Sequence, residues 1–235
     1  MNVVVVKNDQ EAAEKAFELL KAGLDSKKVK TLGLATGGTP LKFYAKMREA
    51  KLDVSDVTTV NLDEYVGLSA DDEQSYNYYM EEELFKSLNF KATNLPNGMA
   101  EDLDAECERY EKVLAENPVD LQILGLGTNG HIGFNEPGTS FDSKTHVVAL
   151  ADATIQANKR YFEKEEDVPT TAISMGIASI MAAKEIVLLA FGDAKAEAVQ
   201  QMVNGPVSEE CPASALQNHP NVTIILDEAA ASKLS

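Results

Sequence analysis

The segment 31-TLGLATGGTP-40 joins a short apolar run to two glycines and a proline. An apolar run such as 31–36 predicts a buried strand, and Pro40 is typical of the first turn of a helix. Thr39, directly before it, is a residue type that caps helix N-termini. The segment therefore predicts a strand, a tight turn and a helix, which is the repeating unit of an α/β fold.

The same succession of apolar runs and amphipathic helical stretches continues along the chain. The runs are continuous rather than alternating, which is typical of strands covered on both faces. We therefore predict a doubly wound, mostly parallel sheet with helices on both faces, a modified Rossmann-like α/β fold. With 235 residues, 44% of them hydrophobic, the chain is expected to form a single domain over 1–235. The predicted strands are 3–6, 31–36, 57–62, 121–127, 145–150, 170–175, 185–191 and 222–227.

Charge and cysteine content narrow the classes of function. The chain carries 21 Lys and Arg against 38 Asp and Glu, a formal net charge of −17 at pH 7. Nucleic acids and anionic membranes are bound by basic surfaces, so neither is expected as a partner. Cys107 and Cys211 form no CxxC pattern and are expected to be reduced thiols of a cytoplasmic protein. No apolar stretch approaches the ~18 residues of a membrane span, and the N-terminal VVVV is too short for a signal peptide.

The turn at Thr36, Gly37, Gly38 and Thr39 is a candidate anion site. Its glycines allow close backbone approach, and free N–H groups at a helix N-terminus attract anions. The chain has no GxxxxGK[ST] loop, and an ordinary strand-to-helix turn would have the same pattern. The added hydroxyl groups of the two threonines favour phosphate as the ligand.

A second candidate, 61-NLDEYVGL-68, places Asp63 and Glu64 directly after a predicted strand. Most such pairs lie in solvated turns. At the carboxyl edge of a parallel sheet, where ligands bind, one carboxylate can serve as a general base. An unperturbed Asp has a pKa of about 3.9, so this role requires desolvation.

The third candidate is 127-GTNGHIGFNEPGT-139, which holds His131 on a glycine-rich backbone with Asn129 and Glu136 nearby. The spacing GxGxxG occurs at 125–130, but later glycines and Pro137 predict a loop rather than the helix of a dinucleotide site. One His and one Glu also make a poor zinc site. A neutral imidazole, with a pKa of about 6.5, is suited to moving a proton between two oxygens.

Two positively charged residues, Lys195 and Arg160, are the remaining candidate site residues. Lys195 is predicted at the start of a helix, where a positive charge opposes the helix dipole and indicates a ligand anion. Arg160 precedes the charged loop 162–169, a possible mobile cover, and could reach the site when that loop closes. A plain surface arginine is an equally good interpretation. His146 and His219 are expected to be structural.

Taken in order, LATGGTP, NLDEYVGL, GLGTNGHIGFNEPGTSF and KAEAV resemble the glucosamine-6-phosphate deaminase (isomerising) family over nearly the whole chain. The related 6-phosphogluconolactonases share the fold and a Gly-His segment, but FNEP after the histidine and DEYVGL after the third strand indicate the deaminases. The resemblance implies that glucosamine 6-phosphate and water become fructose 6-phosphate and ammonia, without a metal or organic cofactor. It implies catalytic roles for Asp63, Asn129, His131 and Glu136, and substrate binding by Thr36, Gly37, Gly38, Thr39, Gly130, Arg160 and Lys195.

The resemblance also assigns the steps. Phosphate would be held by 36–39, Lys195 and Arg160, and His131 would open the sugar ring with help from Asn129 and Glu136. Asp63 would then transfer a proton from C2 to C1. Many members of the family carry Asp at the position of Asn129, and an amide cannot stabilise imidazolium by charge. We therefore predict a lower pKa for His131 here.

The longer, hexameric relatives bind an acetylated sugar phosphate with basic residues shortly after FNEP and a C-terminal extension. In that region this chain offers His146, Val148 and Ala149, and it ends at Ser235. We therefore expect a non-allosteric enzyme, with a monomer favoured over a hexamer. Two other interpretations stay open: a sugar-phosphate sensor, although no helix-turn-helix or basic arm is evident, and a lactonase.

Overall fold

The computed structural model describes residues 1–235 and contains ten strands and seven α-helices. The strands are β1 (Asn2–Val6), β2 (Thr31–Leu34), β3 (Thr58–Asn61), β4 (Asp63–Tyr65), β5 (Ala92–Asn94), β6 (Leu121–Leu124), β7 (His146–Ala149), β8 (Thr171–Ser174), β9 (Glu185–Ala190) and β10 (Val222–Asp227). The helices are α1 (Asp9–Asp25), α2 (Leu41–Glu49), α3 (Tyr76–Glu83), α4 (Leu103–Glu116), α5 (Asp152–Asn158), α6 (Ile177–Met181) and α7 (Ala196–Asn204).

Seven strands form one sheet in the order β1-β10-β9-β6-β2-β3-β5, and every neighbouring pair is parallel. Helices α1, α2 and α3 pack on one face of this sheet, around Phe43, Tyr44 and Met80. The other face is covered by α4, α6 and α7, around Tyr110 and Met202. The predicted doubly wound, mostly parallel α/β fold is confirmed. None of the helices combines the length and apolar character that crossing a bilayer requires.

A second, three-stranded sheet of order β4-β8-β7 is antiparallel. The predicted strands at 145–150 and 170–175 exist, but they pair in this small sheet and not in the parallel one. The half-exposed residues of β7 explain this correction, since a strand inside the parallel sheet would be covered on both faces. Strands β4 and β5 were not predicted because three residues carry too little periodicity.

The two sheets meet at Leu62. Its N–H donates to the Leu34 carbonyl (3.1 Å) beside the parallel sheet, and its carbonyl accepts from the Met175 N–H (2.8 Å) next to β8. The chain therefore leaves one sheet and enters the other within a single residue. Asp63, the first residue of β4, is placed at this junction.

Close packing at the centre of the parallel sheet depends on Gly33. It lies opposite Gln122 in the register of β2 and β6, and a Cβ built at Gly33 would lie 2.1 Å from Gln122 Oε1. The Gln122 side chain is fully buried and donates from Nε2 to the Ile123 carbonyl (2.8 Å). Gly33 thus provides the space in which this glutamine fits.

We predict that Gly33→Ala lowers the free energy of unfolding by roughly 1–3 kcal/mol, since a methyl group must displace a buried side chain. Urea unfolding of Gly33→Ala, Gln122→Ala and the double variant measures the coupling. The double variant should lose less stability than the sum of the losses in the two single variants, because Gln122→Ala removes the side chain with which a methyl group at position 33 would clash. If the two losses of stability were strictly additive, Gly33 would not be needed to make room for Gln122.

Candidate active site

A cavity of about 470 Å³ opens at the carboxyl edge of the parallel sheet. Its wall is formed by the segments that follow β2, β3, β6 and β9, together with Tyr76 of α3 and one side of α5. These segments are far apart in the sequence, and parallel strands bring their carboxyl ends to one edge. Asp63, His131 and Lys195 all line this one cavity.

The turn after β2 presents Thr36, Gly37 and Thr39 to the cavity. None of the four backbone N–H groups from Thr36 to Thr39 donates a hydrogen bond within the protein. Gly37 has φ +89°, a left-handed conformation that glycine adopts without strain. Unpaired N–H groups at the start of a helix can hold a phosphate or carboxylate.

Thr39 does not cap α2 as predicted. Pro40, with φ −85° and ψ 0°, occupies the N-cap position without a side-chain hydrogen bond, and the helix begins at Leu41. The boundary therefore lies one residue later than expected. The Thr39 hydroxyl remains at the cavity, where it can contact a ligand.

Asp63 and Glu64 have different environments because successive side chains of a strand point to opposite faces. Glu64 accepts N–H groups from Tyr65 and Tyr76 on Oε1 (both 2.9 Å) and from Asn77 on Oε2 (2.8 Å), so it holds the start of α3. Asp63 is 7% exposed, and no protein group donates to its carboxyl. Burial, with a smaller effect from Glu64, raises the pKa of Asp63 to about 8.

His131, Asn129 and Glu136 form a hydrogen-bonded chain. Glu136 Oε2 accepts from Asn129 Nδ2 (2.6 Å), and Asn129 Oδ1 lies 2.7 Å from His131 Nδ1. Since the amide nitrogen faces the carboxylate, its oxygen faces the ring, and Nδ1 must carry the proton. This assignment leaves Nε2 of the neutral ring as a proton acceptor. Burial lowers the pKa of His131, opposed by Glu136 and reinforced by Lys195.

Gly127 makes room for the imidazole. A Cβ at this position would lie 2.1 Å from both Cε1 and Nδ1 of His131. The following loop is fixed to β8 and its neighbour, since Phe134 N–H donates to Ser174 Oγ (3.1 Å) and Asn135 Nδ2 to the Met175 carbonyl (2.8 Å). The loop that carries the ring is therefore attached to the small sheet.

Lys195 supplies a positive charge at the cavity. It ends a 3₁₀ turn, Asp193–Lys195, and occupies the N-cap position of α7, near the helix start that was predicted. Its Nζ donates to the Leu126 carbonyl (2.6 Å), and burial lowers its pKa. An ammonium group at this place can pair with a ligand anion.

Three predicted substrate-binding residues do not line the cavity. Gly38 is absent from its wall, and Gly130, with φ +87°, packs against Cys211. Arg160 is exposed, and its guanidinium lies 4.7 Å from the Tyr161 ring centroid. The predicted cover also differs, because α5 rather than 162–169 lines the cavity.

The other two histidines have structural contacts. His219 is buried with Nε2 2.6 Å from the Ala183 carbonyl, and His146 Nδ1 lies 2.7 Å from the Lys144 carbonyl. The structure contains no group of three or more His, Cys, Asp or Glu side chains that could hold a metal ion.

Sequence reasoning missed Tyr76 and the wall formed by α5. Tyr76 Oη lies 3.2 Å from Tyr65 Oη, and Asn158 at the end of α5 donates from Nδ2 to Tyr65 Oη (3.0 Å). These contacts attach α5 to the small sheet beside the cavity. Only the aromatic residues of 76-YNYYM-80 could have drawn attention to α3.

Comparison with known proteins gives a consistent result. The family model described as glucosamine-6-phosphate isomerases/6-phosphogluconolactonase matches residues 7–225. The glucosamine-6-phosphate deaminase of Bacillus cereus (strain B4264) is 60% identical over 235 residues, which cover 100% of this chain and 90% of that protein. The glucosamine-6-phosphate deaminase of Listeria monocytogenes serotype 4a (strain HCC23) is 58% identical over 234 residues and 100% of both chains.

Solved structures agree with these matches. A monomeric glucosamine-6-phosphate deaminase has a TM-score of 0.93 and 45% identity, with 99% of both chains covered. A 6-phosphogluconolactonase from Thermotoga maritima has a TM-score of 0.77 and 18% identity over 96% of this chain and 99% of that one, which shows a shared fold. The resemblance to the deaminases is confirmed, and the chain belongs to the family of glucosamine-6-phosphate isomerases and 6-phosphogluconolactonases.

Proposed function

We propose that this protein is a glucosamine-6-phosphate deaminase, which converts glucosamine 6-phosphate and water to fructose 6-phosphate and ammonia. The observation that carries this proposal is the convergence of Asp63, His131 and an anion-binding turn on one cavity. The deaminase names of relatives 58% and 60% identical support the same reaction.

The phosphate binds between the turn 36–39 and Lys195. Free N–H groups, threonine hydroxyls and one ammonium group supply the donors that a phosphate accepts. Arg160, which lies outside the cavity, contacts the phosphate only if α5 and the following turn move inward. This anchor places the sugar ring between Asp63 and His131.

Ring opening uses His131. Its Nε2 takes the proton of the anomeric hydroxyl and passes it to the ring oxygen, so that the C1–O5 bond breaks and an aldehyde forms. Asn129 keeps the proton on Nδ1, and Glu136 orients the amide. A neutral imidazole is the form that this relay requires, and burial of His131 favours it.

Deamination uses Asp63. Its carboxylate removes the proton from C2 of the open chain, and a proton of the substrate ammonium passes to the C1 oxygen, which gives an enolamine. Asp63 then returns its proton to C1. The resulting imine at C2 adds water and releases ammonia, which leaves the ketone. The positive amine of the substrate favours ionisation of Asp63, whose pKa is otherwise raised by burial.

We further propose that the protein works as a monomer without allosteric control. The structural relative with 45% identity is described as monomeric. His146, Val148 and Ala149 also provide no cluster of cations for an effector phosphate. Saturation by substrate should then be hyperbolic.

The first test is ammonia release from glucosamine 6-phosphate by the wild type and Asp63→Asn. We expect turnover in the wild type and a loss of about 100- to 10,000-fold in kcat for the variant, since a general base is removed. Asp56→Asn, which changes an exposed carboxylate, should retain full activity. A wild type that binds the substrate but releases no ammonia would be a sensor, and hydrolysis of a 6-phospho-lactone instead would identify a lactonase.

A second prediction concerns the buried carboxyl. Because the pKa of Asp63 is raised from 3.8 to about 8, ionisation opposes folding, and this penalty grows as pH rises between those values. Asp63→Asn should therefore be more stable than the wild type, by a margin that increases by up to about 1.4 kcal/mol per pH unit between pH 4 and pH 8. Urea unfolding at several pH values measures this, with Asp56→Asn as the control. A margin independent of pH would contradict the buried state of Asp63.

A third prediction concerns Asn129. Asn129→Asp places a carboxylate 2.7 Å from His131 Nδ1, and a negative charge there should raise the pKa of His131 by about one unit. NMR titration of the histidine ring measures the shift. Asn8→Asp, which adds the same charge at the N-cap of α1, should leave His131 unchanged. An unmoved titration in Asn129→Asp would refute the assigned contact.

A further inference from the structure

Two tyrosines bind the backbone of the turn after β2 from outside the cavity. Tyr44 Oη accepts from the Ala35 N–H (3.2 Å) and donates to the Ala35 carbonyl. Tyr79 Oη donates to the Gly37 carbonyl (2.5 Å). Neither tyrosine lines the cavity. Both carbonyls are therefore held by groups that a ligand does not contact.

These hydrogen bonds orient the N–H groups of the same turn. In a trans peptide, the carbonyl of one residue and the N–H of the next point in opposite directions. Fixing the Ala35 carbonyl therefore directs the Thr36 N–H the other way, and fixing the Gly37 carbonyl does the same for the Gly38 N–H. Both N–H groups lack a partner in the protein. Thr36 lines the cavity, and although Gly38 itself does not, Gly37 and Thr39 on either side of it do.

The hydrogen bond from Tyr79 to the Gly37 carbonyl is important because of the glycine. With φ +89° and no side chain, its peptide can rotate more freely than others. A rotated peptide would present the carbonyl oxygen to the ligand, and an oxygen repels phosphate. The hydroxyl of Tyr79 opposes this rotation because its hydrogen bond exists in only one orientation.

We propose that Tyr79 is a positioning residue that orders the turn 36–39 for the phosphate of the substrate without touching it. This inference rests on the proposed sugar-phosphate function. Tyr79 belongs to α3, whose start is held by Glu64 next to Asp63. The same helix thus connects the phosphate turn with the strand that carries the base.

Tyr79→Phe tests this proposal because the ring packs against the core under α1 and α2, and only the hydroxyl is removed. Tyr78→Phe is the matched control, since the Tyr78 hydroxyl makes no hydrogen bond within the protein. The readouts are KM and kcat for glucosamine 6-phosphate, and the Kd of inorganic phosphate by calorimetry.

For Tyr79→Phe we expect KM and the Kd of phosphate to rise together, by about 3- to 10-fold for the loss of one ordering hydrogen bond. The kcat should stay within about twofold of the wild type, because Asp63 and His131 are not displaced. Tyr78→Phe should match the wild type in every readout.

Unchanged phosphate affinity in Tyr79→Phe would overturn the proposal, as would a fall in kcat at constant KM. An equal loss of affinity in Tyr78→Phe would also overturn it. Phosphate binding is measured without turnover, so a wild type that releases no ammonia refutes the proposed function while the role of Tyr79 is still decided by calorimetry.

Discussion

The backbone of Leu62 holds the two sheets together at the point where the site is built. One of its hydrogen bonds joins it to the end of β2 and the other to the residue after β8. Because both bonds are made by one residue, the chain cannot continue along the parallel sheet. Asp63 is therefore placed in the angle between the sheets, where it is 7% exposed and lies at the cavity wall. Its burial is a consequence of the fold and not of its own interactions.

A comparison with Glu64 shows that the buried carboxyl of Asp63 lacks the hydrogen bonds that its neighbour has. Three backbone N–H groups oppose the effect of burial on Glu64, and two of them, from Tyr76 and Asn77, fix the first turn of α3. No protein donor offsets the burial of Asp63, although the two carboxylates are adjacent in one strand. An unpaired buried carboxyl destabilises the folded state when it ionises. Retaining it at a cavity wall is typical of a group that acts on a ligand.

The sequence predicted the elements whose signals are local. The strand and turn at 31–39 and the loop around His131 were recognisable because glycines and apolar runs act over a few residues. The separate antiparallel sheet was not, because the pairing of β7 with β8 depends on distant segments. For the same reason strand position alone did not distinguish Asp63 from Glu64, and only the family resemblance selected Asp63. Tyr76, α5 and the outward position of Arg160 also depend on tertiary contacts. The N-cap of α2 is Pro40 and not Thr39, one residue later than predicted, which is the usual uncertainty of a helix boundary.

Burial also explains how a protein with a net charge of −17 can hold an anion. Desolvation disfavours the charged form of any group, so it raises the pKa of Asp63 and lowers that of His131. At neutral pH both groups are then mainly uncharged in the free protein. Lys195 supplies the ammonium group at the cavity, and the carboxylate of Glu136 already accepts a hydrogen bond from Asn129. A phosphate therefore meets an ammonium group and free N–H donors, while the acidic surface outside lies across solvent that screens it.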